Sequence, residues 1–304
     1  MLTAVLLLVL AVDANQAKAL LQKGLIALQH GQLSEARSDL EDASRADSSN
    51  PYVWVSLAQT YLRLNQPEEA EAAAAKAERL GGTNPVLIHA LAMFAFEYAQ
   101  GLLRQQNFTK AATVLSAAMQ ANPQDPQLTL ALGVARYGQR RFDDAIAEFL
   151  KVIQINPSIE QPYVFLGRML DQAGSHLPEI TADYEAWLKA SPENSKANRL
   201  LAEALLSADP ANSRAEELLR GAIALDLNDW EGHYDLGTLL ESRHAYQAAA
   251  AELERSAELD PAQAVVHYHL ARVYDRLGEP DRAKAEREIH QRLTASPGHD
   301  QGMK

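Results

Sequence analysis

The sequence predicts an all-α fold, a solenoid of antiparallel helix pairs, and three observations carry that expectation. A small residue returns at about every 34 positions, at Gly24, Ala58, Ala99, Gly133, Gly167, Ala202, Gly237 and Ala271, a period that marks stacked helical hairpins. A second series keeps step with it: Ala36, Ala70, Ala111, Ala145, Ala215, Ala249 and Ala283, broken only by Ile180 in the fifth unit. Leu40, Ala74, Leu115, Phe149, Leu219 and Leu253 follow four residues behind this series, the spacing that puts two side chains on one helix face. Composition agrees: 47% of residues are hydrophobic and 22% charged, with Ala, Leu, Glu and Gln abundant and β-branched residues few.

The second unit supplies Trp54, Leu57, Ala58, Tyr61 and Ala70, and the fourth supplies Leu132, Gly133, Ala145, Phe149 and Pro157. In this pattern the chain resembles the tetratricopeptide repeat, whose unit pairs a Trp-x-x-Leu-Gly-x-x-Tyr helix with an Ala-x-x-x-Phe helix and closes on proline. The resemblance implies a right-handed superhelical solenoid in which first helices line a concave groove. Eight units begin near residues 17, 51, 92, 126, 160, 195, 230 and 264, so residues 15–297 read as one solenoid domain, followed by a tail at 298–304.

Taken in order, the chain opens on a nearly unbroken apolar run from Leu2 to Val12, and Val12-Asp13-Ala14 ends in the small residue of a signal-peptidase site. Residues 1–14 therefore read as a secretory signal, and the protein as periplasmic or secreted. As a helix the run rises only about 16 Å, short of the ~30 Å hydrocarbon core, so no transmembrane span is expected from it. The alternatives are a start codon placed too late or an N-terminal helix that packs on the first repeat.

Gly31, Asn65 and Gly278 mark turns inside units, while Asn122-Pro123, Asn156-Pro157, Ser191-Pro192 and Asp260-Pro261 end second helices, because proline cannot continue the hydrogen-bond ladder. Before Ala92, seven extra residues from Pro85 carry no further breaker, which predicts a long first helix from Pro85 to Arg104. Units five and six each carry one extra residue, placed in the turns Ala173–Leu177 and Ser207–Asn212. Unit five also offers Ile180 and Trp187 where other units have small contacts, either a seam that opens or a repacked core. Ser213 with Glu216 reads as a capping box opening the second helix of unit six. The last unit presents Arg287 and His290 on its outer helix, the polar face of a terminal repeat.

Several function classes drop out. With 28 basic and 40 acidic residues the formal charge is -12, and no Lys/Arg cluster offers the basic surface a nucleic-acid partner needs. The absence of cysteine removes disulfides, thiolate metal sites and thiol nucleophiles. No zinc-protease, phosphate-loop, nucleophile-elbow or dinucleotide motif occurs, so neither an enzyme nor a cofactor is expected. His233, His267 and His269 are the one suggestion of a metal site; His233 and His267 share the repeat position of Trp54, and residues two apart do not share a helix face, so they read as packing histidines. Asn107-Phe108-Thr109 matches a glycosylation acceptor but sits at a turn where Phe142 recurs, and reads as structural.

Carried onto this sequence, the family's groove positions give Leu130, Val134, Tyr137, Val164 and Arg168 in the middle and Tyr234, Thr238, Glu241, Tyr268, Arg272, Asp275 and Arg276 toward the C-terminus. Tyr and Arg are the side chains that dominate binding hot spots. The expectation is a non-enzymatic scaffold holding a protein or peptide segment in that groove. The alternative is an assembly role: self-association, or a regulatory subunit of an envelope complex with a separately encoded enzyme. The family's carboxylate clamp for chaperone C-termini is not supported, since Leu21 and Leu25 stand where the resemblance calls for Lys and Asn.

Overall fold

The computed structural model describes the backbone of residues 2–295 and the side chains of residues 15–295; the tail at 298–304 lies outside the described residues. Among the described residues there are sixteen α-helices, two short 3-10 turns and no strand, an all-α fold of tetratricopeptide-like hairpins. The chain divides into two compact units, residues 1–156 and 157–304, where the repeat pattern alone reads as one body. The division falls beside the shortest first helix of the chain.

Unit 1 contains the hairpins α1 (Leu2–Gln29) with α2 (Leu33–Ala46), α3 (Pro51–Arg63) with α4 (Pro67–Gly81), α5 (Pro85–Arg104) with α6 (Phe108–Ala121), and α7 (Pro126–Gly138) with α8 (Phe142–Ile155). First helices start at proline where an Asx side chain precedes it. Asn50, Asn84 and Asp125 accept hydrogen bonds from the backbone N–H groups that open α3, α5 and α7, satisfying donors that have no partner inside the helix.

Six of the eight hairpin turns close the same way. The residue after the first helix sits in the left-handed region, at Gly31, Asn65, Gln106 and Arg140 in unit 1 and His244 and Gly278 in unit 2. Its N–H and the next one return to the helix end, as in Asn65 to the Leu62 carbonyl (3.0 Å) and Gln66 to the Tyr61 carbonyl (2.9 Å). This is the Schellman closure. Gln, Arg and His accept the left-handed conformation there, which is why a search for glycine finds only some of the turns.

Inside the hairpins the small series meets large side chains. A Cβ added at Gly24 would stand 2.7 Å from Leu40 Cγ, at Gly133 2.7 Å from Phe149 Cε1, and at Gly237 2.6 Å from Leu253 Cγ. These glycines are therefore required by helix approach. The long α5 contributes Leu87, Phe94, Ala95, Tyr98 and Leu102 to the core of unit 1 and packs on α3, α4, α6 and α7. It is also the one described helix long and apolar enough to cross a membrane by length and composition, with mean hydropathy 1.5.

Unit 2 contains α9 (Gln161–Gly167), α10 (Leu177–Ala190), α11 (Ser195–Ala208), α12 (Arg214–Leu225), α13 (Trp230–Ser242), α14 (Tyr246–Leu259), α15 (Ala264–Leu277) and α16 (Pro280–Ala295). Two 3-10 turns, Leu170–Gln172 and Gly174–His176, replace the second half of the first helix of the fifth repeat. The bulky seam expected there is packed shut: Trp187 stacks on Tyr163 at 4.3 Å, and the Tyr184 hydroxyl donates to the Tyr163 carbonyl at 2.8 Å. A Cβ on Gly167 would meet Leu200 of α11, so this repeat leans on its successor's helix.

The capping box is not formed. Ser213 has helical backbone angles and its side chain caps nothing, while Asn212 Oδ1 accepts the Arg214 N–H at 3.0 Å one residue earlier. The extra residue in that turn shifts the cap. At the fourth position of four of the repeats, a polar side chain reaches back six residues to a carbonyl in the preceding turn. Trp54 Nε1 donates to Ser48 (3.0 Å), Tyr163 Oη to Pro157 (3.2 Å) and Asn198 Nδ2 to Pro192 (3.5 Å), and His267 Nε2 lies 3.1 Å from the Pro261 carbonyl oxygen. The shared position is a tether between a turn and its own helix.

Candidate interaction surface

The first helices α11, α13 and α15 are neighbours in unit 2, and they bring together Tyr234, Thr238, Glu241, Tyr268 and Arg272. At the centre is Glu241, 8% exposed, with Oε2 2.6 Å from His269 Nδ1 and Oε1 3.2 Å from Arg272 Nε. His269 meets Tyr234 edge-on (5.6 Å between rings, 77°) and Tyr268 likewise (5.3 Å, 89°). The Arg272 guanidinium lies 5.5 Å from the Tyr268 ring, within cation-π range. Tyr268 is 46% exposed. One buried carboxylate thus orients an imidazole and an arginine, which support an aromatic ring facing solvent. Burial pushes the Tyr234 phenol up to about 12, with Asp235 and Glu241 adding to the shift, so it stays a hydroxyl.

The remaining stripe residues behave differently. Thr238 donates to the Asp235 carbonyl at 3.0 Å. Asp275 is tied to Arg287 of α16 at 2.7 Å, a surface pair belonging to the last hairpin, and Arg276 is exposed. Leu130, Val134 and Tyr137 are half-buried on α7 in unit 1, Tyr137 edge-on to Phe142 at 5.8 Å. Val164 is half-buried on α9, and Arg168, just beyond that helix, lies 5.8 Å from the Phe165 ring. The aromatic and arginine anchors are concentrated in the C-terminal part of unit 2.

The histidines take separate carboxylates. His233 Nδ1 lies 2.7 Å from Glu252, His267 Nδ1 2.6 Å from Glu286, and His269 turns to Glu241. Among the described residues no group of three His, Asp or Glu side chains is arranged to hold a metal ion. Asn107 caps α6, its Oδ1 accepting the Lys110 N–H at 3.2 Å, and Phe108 packs where a Cβ on Gly138 would stand.

Three residues of this region are missing from the groove positions read from the sequence. His269 is one, read there only as a packing histidine. Arg199 and Glu203 are the others, and they occupy the fifth and ninth positions of the repeat that begins at Ser195, the positions that supply Tyr234 with Thr238 and Tyr268 with Arg272. The same stripe extended through this repeat would have named them. Glu203 borders a cavity region of about 400 Å³ lined also by Arg168, Asp171, Tyr234, Asp235 and Thr238. In unit 1 an apolar cavity of about 530 Å³ lies between α4, α5 and α6, lined by Ala74, Leu87, Leu91, Ala95, Val114 and Ala118 among others.

Residues 21–85 and 97–158 match the family model described as tetratricopeptide repeat. Human protein O-mannosyl-transferase TMTC1 is 23% identical over 194 residues, which cover 62% of this chain and 21% of that protein, so the chain spans about a fifth of the curated relative's length. Among solved structures, the human IFIT1 dimer with m7Gppp-AAAA superposes with TM-score 0.51 and 19% identity, covering 90% of this chain and 67% of that one. MamA (41-end) from Desulfovibrio magneticus RS-1 reaches TM-score 0.48 and 22% identity over 57% of this chain and 96% of its own. At such identities the likeness speaks for the fold alone. With the repeat model matched over residues 21–85 and 97–158 and the same capped, Schellman-closed hairpin recurring in unit 2, unit 1 is built of tetratricopeptide repeats and unit 2 has a tetratricopeptide-like fold.

Proposed function

We propose that the chain is a non-enzymatic scaffold that holds a peptide or a segment of another protein against the first-helix face of unit 2. A tetratricopeptide repeat fold supports a protein-interaction scaffold in general; the particular surface is inferred from one observation. Tyr268 and Arg272 are exposed large side chains pre-positioned by the buried Glu241 and by His269, so little rotamer freedom is left to lose on binding. Once a partner has been captured by affinity from the native host, Tyr268→Ala and Arg272→Ala are expected to weaken binding about tenfold or more. Thermal stability should change little. Glu258→Ala is the control, since Glu258 lies on the second helix α14 and makes only a surface pair with Arg255. Equal weakening by the control, or none by either groove change, removes this surface from the proposal.

The assembly reading has one observation in its favour: a matching curated relative is by name a mannosyl-transferase several times longer than this chain. On that reading the repeats serve an enzyme encoded separately. Light scattering after size exclusion separates a monomeric receptor from a self-associating subunit.

Export is the second part of the proposal, supported by the apolar run Leu2 to Val12 and by Ala14. Cleavage after Ala14 would shorten α1 to residues 15–29, close to the length of its partner α2. N-terminal sequencing of protein from the native host is expected to begin at Asn15. Intact Met1 on protein recovered from the cytosol overturns it.

A further inference from the structure

Four carboxylates converge on one buried cation in unit 2. Arg199 of α11 is 8% exposed, and its Nη1 holds both Glu203 Oε1 at 2.5 Å and Asp235 Oδ2 at 3.4 Å. Glu231 Oε2 lies 2.5 Å from Nη2, and Asp229 Oδ2 lies 3.5 Å from Nε. Glu203 belongs to α11 and the other three acids to α13 and its cap, so the cluster joins neighbouring repeats. One guanidinium cannot neutralise four carboxylates, and an uncompensated charge in a desolvated site is relieved most cheaply by taking up a proton. Glu203 and Asp235 moreover meet on the same nitrogen, Arg199 Nη1, which brings their carboxyl groups side by side. Two ionised carboxylates offer each other only acceptors, so a proton between them relieves the repulsion.

We propose that the contact between α11 and α13 is a proton-dependent joint, in which Glu203 and Asp235 share one proton beside Arg199 and which tightens as the medium becomes more acidic. The groups facing the pair come from every neighbouring element. Tyr184 of α10 donates its hydroxyl elsewhere, to Tyr163, and is kept un-ionised by burial. Arg168 and Asp171, at and beyond the end of α9, line the adjoining cavity with one charge of each sign, and Tyr234 and Glu241 continue along α13. None of these supplies a second buried cation to the pair. Glu203 and Asp235 keep 24% and 17% of their side chains accessible, on the wall of that cavity, which gives protons a route in.

Burial raises both carboxyls above the ordinary range, and for Asp235 the Glu203 charge raises it further, while Arg199 opposes the shift. A group whose folded-state affinity for a proton is raised stabilises the fold fully below its unfolded value, and that contribution is lost as pH rises through the folded value. The joint should therefore loosen as pH rises above the ordinary carboxylate range, opposite to the trend set by salt-bridged carboxylates with lowered values.

Hydrogen exchange of the full chain, read by mass spectrometry on peptides of α11 and α13 and corrected for intrinsic rates, tests this, with α3 of unit 1 as the internal reference. Wild-type protection of α11 and α13 relative to α3 is expected to fall over that rise in pH. Asp235→Asn keeps a hydrogen-bonding group that cannot ionise, and should abolish the fall and give slower exchange than wild type at about pH 8. Glu203→Gln should do the same from the other side of the pair, so that one variant suffices if the other folds poorly. Relative protection that holds or rises with pH in the wild type overturns the proposal, as does lower protection than wild type in both amide variants at about pH 8.

Discussion

Replacing Arg199 with alanine is expected to cost about 3–5 kcal/mol, the range measured when one partner of a buried ion pair is removed and the other is left behind. The effect should be the largest of any single substitution in unit 2, because the loss strands Glu203, Asp229, Glu231 and Asp235 around the vacated guanidinium site. Those four acids already outweigh the burial that opposes the Arg199 charge and hold the guanidinium protonated above its usual value. The carboxyls can escape part of the penalty by protonation, so the cost should shrink as pH falls. Arg199→Lys keeps the charge but loses the planar fork that reaches acids on both Nη atoms, and should cost less than alanine. Chemical denaturation at two pH values, with exchange on α11 and α13 to localise the change, measures all three. A loss below about 1 kcal/mol, the magnitude of an exposed surface pair, would mean that the cluster is solvated.

Gly133→Leu in unit 1 is expected to destabilise by about 1–3 kcal/mol through overpacking. A Cβ there would already stand 2.7 Å from Phe149 Cε1 and 2.9 Å from Cδ1, and Phe149 is completely buried, so its ring has nowhere to move without reopening the hairpin between α7 and α8. The matched comparison is Gly101→Ala on α5. Nothing lies within 4 Å of a Cβ at that position, and the helix gains about 0.5–1 kcal/mol from losing glycine's backbone freedom. Opposite signs for two glycine substitutions in first helices of one unit would establish that contact, and not glycine content, sets the requirement. An unchanged denaturation midpoint for Gly133→Leu would place the seam elsewhere.

The long helix Pro85–Arg104 was legible because a breaker-free run far longer than a strand, inside a helical repeat, has only the helix open to it, and the structure has the same bounds. The hairpin seams were legible for a related reason: Gly133 with Phe149 and Gly237 with Leu253 repeat one offset, and helical periodicity converts that offset into a contact. Turns were half legible. Asn65 and Gly278 signal a left-handed residue, but Gln106, Arg140 and His244 adopt the same conformation under the pull of the two Schellman hydrogen bonds. The Ser213 cap failed because one inserted residue rotates the helix start, and a motif read as letters does not register that rotation.

By itself, then, the sequence determined the hairpin, its period, and which faces pack, since each depends on interactions inside one repeat or at a constant separation along the chain. Only the tertiary structure decided where the chain divides into compact units, that Glu241 orients His269 and Arg272 behind Tyr268, and that Arg199 gathers four acids. These depend on side-chain direction and on the absence of water. A charged residue on a helix reads the same in sequence whether it faces solvent or a neighbour, and desolvation, which makes the difference, exists only once the repeats have stacked.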